Sequence, residues 1–236
     1  MKKFAVFDID GTLIRWQLYH AVVDRLAGQG LLQPQAKQQL RQARMSWKQR
    51  QQPDSFKIYE ESLIEIFESA LGHLTTQDFD RAVQSITEEY SDQVYTYTRD
   101  LIKDLKAQDY TLLAISGSHQ ELVAIIAQHY GFTDWRGTVY ERDGHQFSGK
   151  KQVASQNKRA ILQELMASHN LTFPGSLAVG DSVSDAPMLE MVEQPIAFNP
   201  DRQLFDIAKA HGWKMVIERK NMIYRLESHD GRYLLA

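Results

Sequence analysis

The run Phe4-Ala5-Val6-Phe7-Asp8-Ile9-Asp10-Gly11-Thr12 constrains this chain more than any other stretch. Its apolar, aromatic and β-branched residues predict a buried strand. The strand ends on two aspartates at i and i+2, a spacing that sends both carboxylates to one side. Like charges held that close are costly without a cation or a raised pKa. Gly11 permits a sharp turn, and Thr12 adds a hydroxyl and an N–H. Two acids delivered to the end of a buried strand point to chemistry at that end.

The next stretch changes period. Leu18, Val22, Val23 and Leu26 recur at helical spacing until Gly28 and Gly30 stop the pattern. Residues 33–52 are rich in Gln, Lys and Arg and hold no acid. Pro53-Asp54-Ser55 reads as a break and a helix start. Ile58 to Leu71 reads as an amphipathic helix closed by Gly72, and Phe79, Val83, Ile86, Tyr90 and Val94 form the apolar stripe of another. A further helix is expected near Thr98 to Gln108. From Tyr110 strands and helices alternate. Strands are expected at 110–115, 137–140, 176–179, 195–198 and 213–217, and helices at 119–130, 158–169, 185–192 and 201–211. A closing hairpin is expected around Asp230-Gly231.

Alternation implies a parallel sheet covered on both faces. The expected fold is therefore α/β, a Rossmann-like three-layer α/β/α core with a parallel sheet and an inserted helical cap. Residues 1–14 and 99–236 are assigned to the core and 15–98 to the cap. The role of segment 218–236 is open at this level.

Composition narrows the partners. The 236 residues are 43% hydrophobic and 24% charged, values of a globular protein. A net charge of -3 argues against a general nucleic-acid binder. With no cysteine, disulfides and thiolate metal sites are excluded. The eight histidines show no zinc-site spacing. Asp8 and Asp10 interrupt the first apolar run too early for a signal peptide, and no run reaches the roughly 20 apolar residues of a membrane span. The expectation is a cytoplasmic protein with a small-molecule partner, no nucleic acid and no membrane span. Its oligomeric state is not written in the sequence.

Four expected strand ends or helix starts carry polar groups: Asp8 and Asp10, Ser116-Gly117-Ser118, Lys158, and Asp181 with Asp185. In a parallel sheet the C-terminal strand ends share one edge, where ligands bind, and the following helix N-termini favour anions. Acids, a cation and anion-binding donors at one edge suggest a phosphate and a hard divalent metal, with carboxylate oxygens that suit Mg²⁺.

The set Asp8-Ile-Asp10-Gly-Thr12, Ser116-Gly-Ser, Lys158 and Gly180-Asp181-Ser-Val-Ser-Asp185 resembles the four motifs of haloacid dehalogenase-like phosphatases. The helical insertion is similar to the cap of subfamily IB, the branch that contains phosphoserine phosphatase. The resemblance implies a Mg²⁺-dependent phosphatase that hydrolyses a small phosphomonoester through an aspartyl-phosphate. Asp8 would be the nucleophile. Asp10 would be the general acid and then the base. Asp8, the carbonyl of Asp10, and Asp181 would hold the metal, with Asp185 and Ser184 orienting that site. Ser116, Gly117 and Lys158 would hold the phosphoryl group. The alternative is a phosphate-ligand binding or regulatory protein that keeps the fold without useful turnover. The acid Asp10 argues against it, since binding needs no proton donor.

Arg15, Trp16 and Gln17 follow the first motif and are candidate substrate contacts. The resemblance implies a glutamate near Gln17 in phosphoserine enzymes, so Gln17 leaves the substrate unassigned. Lys37, Arg41, Arg44 and Lys48 recur at helical steps as one basic stripe. It reads either as a solvated face or as a contact for an anionic substrate, lipid headgroup or partner.

Overall fold

A computed structural model describes residues 2–50, 52 and 55–235. Pro53 and Asp54, expected as the break before a helix, lie outside the described residues. In chain order the elements begin with β1 (Phe4–Phe7), α1 (Leu18–Gly28), α2 (Ala36–Lys48), α3 (Ser55–Ala70), α4 (Thr76–Tyr90) and α5 (Thr96–Ala107). Next come β2 (Thr111–His119), α6 (Gln120–Tyr130), β3 (Asp134–Asp143), β4 (Gln146–Gln152), α7 (Lys158–Ser168) and β5 (Leu177–Gly180). The chain continues through α8 (Ala186–Leu189), β6 (Gln194–Phe198), α9 (Arg202–His211), β7 (Lys214–Arg219), β8 (Met222–His229) and β9 (Arg232–Leu235).

Two compact units result. One comprises Met1–Trp16, Tyr90–Thr138 and Val153–Ala236; the other comprises Gln17–Glu89 and Val139–Gln152. Strand β3 runs through both.

In the first unit the strands lie in the order β3-β2-β1-β5-β6-β7-β8-β9. From β3 to β7 every neighbouring pair is parallel, and β8 and β9 add antiparallel strands. The expectation of a parallel α/β sheet holds. All four residues of β1 are fully buried, which explains its lack of polar alternation. Phe4 and Val6 face a core shared with Leu162, Leu165, Met188 and Leu204 from α7, α8 and α9. On the other face Phe7 meets Phe132 edge-on, with ring centres 5.8 Å apart. The chain leaves β1 to one side through β2 and β3, and to the other through β5. That reversal opens a crevice at the C-terminal ends of β1 and β5.

Strand β2 is longer than expected. It continues through Ser116, Gly117, Ser118 and His119, where a helix start was expected at His119. The β2–β3 register shifts between Ile115 and His119. A bulge of this kind keeps the strand running while turning individual groups out of the ladder.

The second unit holds α1 to α4 and the β3–β4 hairpin. The helices pack through Val22, Leu26, Leu40, Leu63, Phe67, Phe79 and Ile86, all buried. Trp47 stacks on Tyr59 at 5.5 Å. The hairpin belongs to this unit because its side chains finish the helical core: Tyr140 packs on Phe67 at 5.2 Å and Phe147 on Phe79 at 5.5 Å. Polar contacts agree. Tyr140 donates to Glu68 at 3.0 Å, and Arg142 forms two bonds to Asp80. The unit thus spans 17–89 and the hairpin, where the sequence reading draws a single insertion at 15–98.

The basic stripe on α2 is not uniform. Lys37, Arg41 and Lys48 are exposed, but Arg44 turns inward to Asp24 and to the Tyr59 hydroxyl. Burial of Tyr59 beside Asp24 selects the one guanidinium that can satisfy both. No described helix is long and apolar enough to cross a membrane.

Candidate active site

The crevice at the ends of β1 and β5 gathers the motif residues of the first unit. Asp8 directly follows β1, and its N–H continues the ladder by donating to the Val179 carbonyl at 2.9 Å. This fixes Asp8 beside the end of β5. Its carboxylate is 4% exposed as a residue and accepts from Lys158 Nζ at 2.7 Å. Lys158, the first residue of α7, is 2% exposed. Its ammonium also donates to Asp185 Oδ1 at 2.5 Å and to the Ile115 carbonyl at 2.9 Å. Three donors therefore meet three acceptors.

Asp185 has a second set of partners. Its Oδ2 accepts from the N–H of Asp181 at 3.0 Å and of Ser182 at 2.9 Å, and from the Ser182 hydroxyl at 3.2 Å. This capping box shapes the turn that presents Asp181. The close fit requires Gly180, where a Cβ would stand 2.4 Å from that of Asp185. Ser184 reaches Ser182, with their hydroxyl oxygens 2.8 Å apart.

Asp181 accepts from Thr12 Oγ1 at 3.2 Å. Gly11 lies at φ +77, and a Cβ there would fall 2.2 Å from Asp181 Oδ2. Gly11 is needed both for the turn and for the close approach. Asp10 takes a different neighbour: Ser116 Oγ donates to its Oδ2 at 2.7 Å. The same hydroxyl accepts from Ser118 N–H at 3.1 Å. A Cβ at Gly117 would stand 3.3 Å from that of Ser155.

Asp8, Asp181 and Asp185 each offer a carboxylate oxygen within 4.8 Å of the others. Both Asp185 oxygens already accept hydrogen bonds. Burial pushes Asp8 up to about 8; Lys158 opposes the shift, while Asp185 and Asp10 add to it. Burial also holds Asp181 well above the ordinary carboxylate range, with the Asp8 and Asp185 charges adding to it. For Lys158, burial works against the charge, but Asp185 and Asp8 outweigh it and raise the ammonium above its usual value. One cation faces a surplus of buried carboxylates. A hard divalent ion suits this donor set, since Mg²⁺ commonly takes one or two carboxylates with other oxygens.

Of the remaining expected residues, Arg15 is exposed and lies over the Tyr95 ring at 5.6 Å. Trp16 is half-buried and ends the first segment of this unit. Gln17 belongs to the helical unit, where it precedes α1 without a side-chain capping bond.

Three residues escape a motif reading. Asp201 caps α9 through Leu204 N–H at 2.7 Å and also takes the Val183 N–H at 3.0 Å, tying α9 to the Asp181–Asp185 turn. Thr98 donates to the Thr12 carbonyl at 2.9 Å. Tyr95 is half-buried and meets Phe198 edge-on, and its hydroxyl is raised by burial and by the Asp181 charge. Only Asp201 left a signal in the sequence, as an acid before a helix.

Comparison with known proteins follows the same residues. The family model of haloacid dehalogenase-like hydrolases matches residues 5–190. Phosphoserine phosphatase SerB1 of Mycobacterium tuberculosis is 29% identical over 128 residues, 53% of this chain and 42% of its own. A histidinol-phosphatase of Neisseria meningitidis is 24% identical over 232 residues, 92% of this chain and 99% of its own. The chain spans about 43% of the length of the first curated relative it matches. A solved phospho-aspartyl intermediate analogue of phosphoserine phosphatase shares the fold with a TM-score of 0.64 at 19% identity, covering 93% of this chain and 94% of the other.

Proposed function

The chain belongs to the haloacid dehalogenase-like hydrolases, in their phosphoserine phosphatase-like branch, and from that premise we propose that it is a Mg²⁺-dependent phosphatase of small phosphomonoesters. The observation that carries the reading is Lys158, which joins Asp8 at 2.7 Å to Asp185 at 2.5 Å beside the Asp181 carboxylate. A buried cation placed between an attacking carboxylate and the turn of a metal-binding one serves phosphoryl transfer, where positioning and charge do most of the catalysis.

In this reading an Asp8 oxygen attacks phosphorus, and the bond from phosphorus to the leaving oxygen breaks. Asp10 gives its proton to that oxygen. Asp10 then takes a proton from water as the water oxygen attacks phosphorus. The Asp8–phosphate bond breaks, inorganic phosphate leaves, and the Asp8 carboxylate is restored. Ser116, the Gly117 N–H and Lys158 hold the phosphoryl oxygens, and the Ser116 hydroxyl keeps Asp10 oriented between steps. Asp8, the Asp10 carbonyl and Asp181 would hold Mg²⁺, which supplies positive charge against the phosphoryl oxygens. Asp185 and Ser184 orient that set.

The helical unit with its hairpin is proposed as the cap that selects substrate, and Arg15, Trp16 and Gln17 as contacts at its entry. Relatives named phosphoserine phosphatase and histidinol-phosphatase differ in leaving group, so the family leaves that choice open.

The test is turnover of p-nitrophenyl phosphate and a phosphomonoester panel with Mg²⁺. Phosphoserine, histidinol phosphate, sugar phosphates and nucleotides belong in the panel. Asp8→Asn is expected to lower kcat at least about a thousandfold, and chelation by EDTA to abolish turnover reversibly. Activity that survives Asp8→Asn would remove the nucleophile assignment. Phosphate binding without turnover of any ester would favour a binding or regulatory protein.

A further inference from the structure

The edge strands β4 and β9 differ in how their outer edges are protected. Strand β4 carries Lys150 and Lys151, places Gly149 at φ 83, and pairs with β3 through a register that slips between Tyr140 and Arg142. Lysines and irregular register discourage further pairing. Strand β9, Arg232-Tyr233-Leu234-Leu235, has no lysine or proline and pairs with β8 in unbroken register. Leu234 is 53% exposed and Leu235 70%. By that register, exposed Met222 and Tyr224 of β8 share a face with Leu235. Among the described residues no strand pairs with the outer side of β9, and an apolar edge of this kind is a template for another strand.

The hairpin fixes which groups the edge offers. Asp230 at φ 49 and Gly231 at φ 74 form a two-residue turn, so His229 and Arg232 close it as a hydrogen-bonded pair. Alternation then points the main-chain groups of Leu234 at β8. Those of Tyr233 and Leu235 point to the open edge.

We propose that β9 pairs antiparallel with β9 of a second copy, about a two-fold axis normal to the sheet at Leu234. In that register Leu234 opposes its own counterpart as a non-hydrogen-bonded pair. Tyr233 and Leu235 of one copy exchange main-chain hydrogen bonds with Leu235 and Tyr233 of the other. Every outward donor and acceptor of the strand finds its complement in an identical strand, and the facing side chains are apolar. A one-residue shift would oppose side chains from different faces of the sheet. A four-residue ladder lies at the small end of specific interfaces, so the dimer is concentration-dependent.

The chain has no cysteine, which makes a cross-link test clean. Opposed residues of a non-hydrogen-bonded pair have Cα atoms about 4.5 Å apart, inside the range a disulfide spans. Under oxidised glutathione, Leu234→Cys is expected to give a disulfide-linked dimer. Leu235→Cys, more exposed but opposed to Tyr233, is expected to remain largely monomeric. Sedimentation of the unmodified chain up to about 200 μM is expected to show a monomer–dimer equilibrium. Leu234→Lys is expected to weaken it at least about tenfold without lowering Tm. The proposal falls if the unmodified chain is monomeric throughout, if the dimer survives Leu234→Lys, or if Leu235→Cys cross-links as readily as Leu234→Cys.

Discussion

Lys158 balances Asp8 and Asp185, and all three residues are buried. Replacing it with methionine would leave both carboxylates buried without their countercharge. Breaking a buried pair from one side costs roughly 3–5 kcal/mol, so Lys158→Met is expected to lose about that much stability in urea unfolding as well as turnover. His119 gives a second expectation. It is buried at the end of β2, and burial pushes its pKa down to about 3, against 6.5 for an ordinary imidazole. The folded state holds it neutral, while the unfolded chain takes a proton below about pH 6.5. Stability therefore falls as pH drops through the window from 6.5 towards 3, by about 2 kcal/mol at pH 5 from this group. In His119→Gln the loss of Tm between pH 7 and pH 5 should shrink; an unchanged pH dependence would count against the assignment. Single residues were unevenly legible. Asp8 and Asp10 declare themselves because acids ending an apolar strand have few other uses. Lys158 stands near Lys150 and Lys151 in sequence, and only burial separates it from its exposed neighbours. Arg44 could not be told from the rest of its stripe, because its partner Asp24 lies on another helix.

Among the elements, α9 is joined to the Asp181–Asp185 turn through Asp201, whose two oxygens take Leu204 N–H and Val183 N–H. Asp201→Ala removes a helix cap and one anchor of the turn. The expected loss is about 1–2 kcal/mol in denaturant unfolding, with a fall in apparent Mg²⁺ affinity that a pure cap would not produce. A variant that loses stability but keeps its metal dependence would reduce Asp201 to a cap. The strands and most helices were readable from periodicity because their burial is regular. Strand β1 has no polar alternation, and α4 keeps its apolar stripe at Phe79, Val83 and Ile86. The expected β2 stops at Ile115 because Ser116-Gly117-Ser118 breaks the apolar run. In the fold a bulge carries those residues without ending the strand. Of the β3–β4 hairpin, the sequence marks a strand at 137–140, within a segment assigned to the core. Its place in the helical unit is decided by Tyr140 on Phe67 and Phe147 on Phe79, contacts between residues far apart in sequence.

For the whole molecule, compactness and chain order are separate matters. The helical unit is assembled from Gln17–Glu89 and Val139–Gln152, so its cooperative behaviour should ignore the intervening sequence. Amide exchange of the hairpin is expected to follow that of α3 and α4 rather than that of β2. Protection of the hairpin that tracks β2 instead would show that the packing of Tyr140 and Phe147 does not set its stability. The central position of β1 has a further result during synthesis. Phe4 pairs with Thr111, and Ala5 with Leu177. At about 5–20 residues per second, a ribosome reaches the first partner only about 5–20 s after β1 is made, and the second after about 9–34 s. Through that interval Phe4, Ala5, Val6 and Phe7 have no sheet to enter. The strand that delivers Asp8 therefore waits, apolar and unpaired, while nearly half of the chain is made.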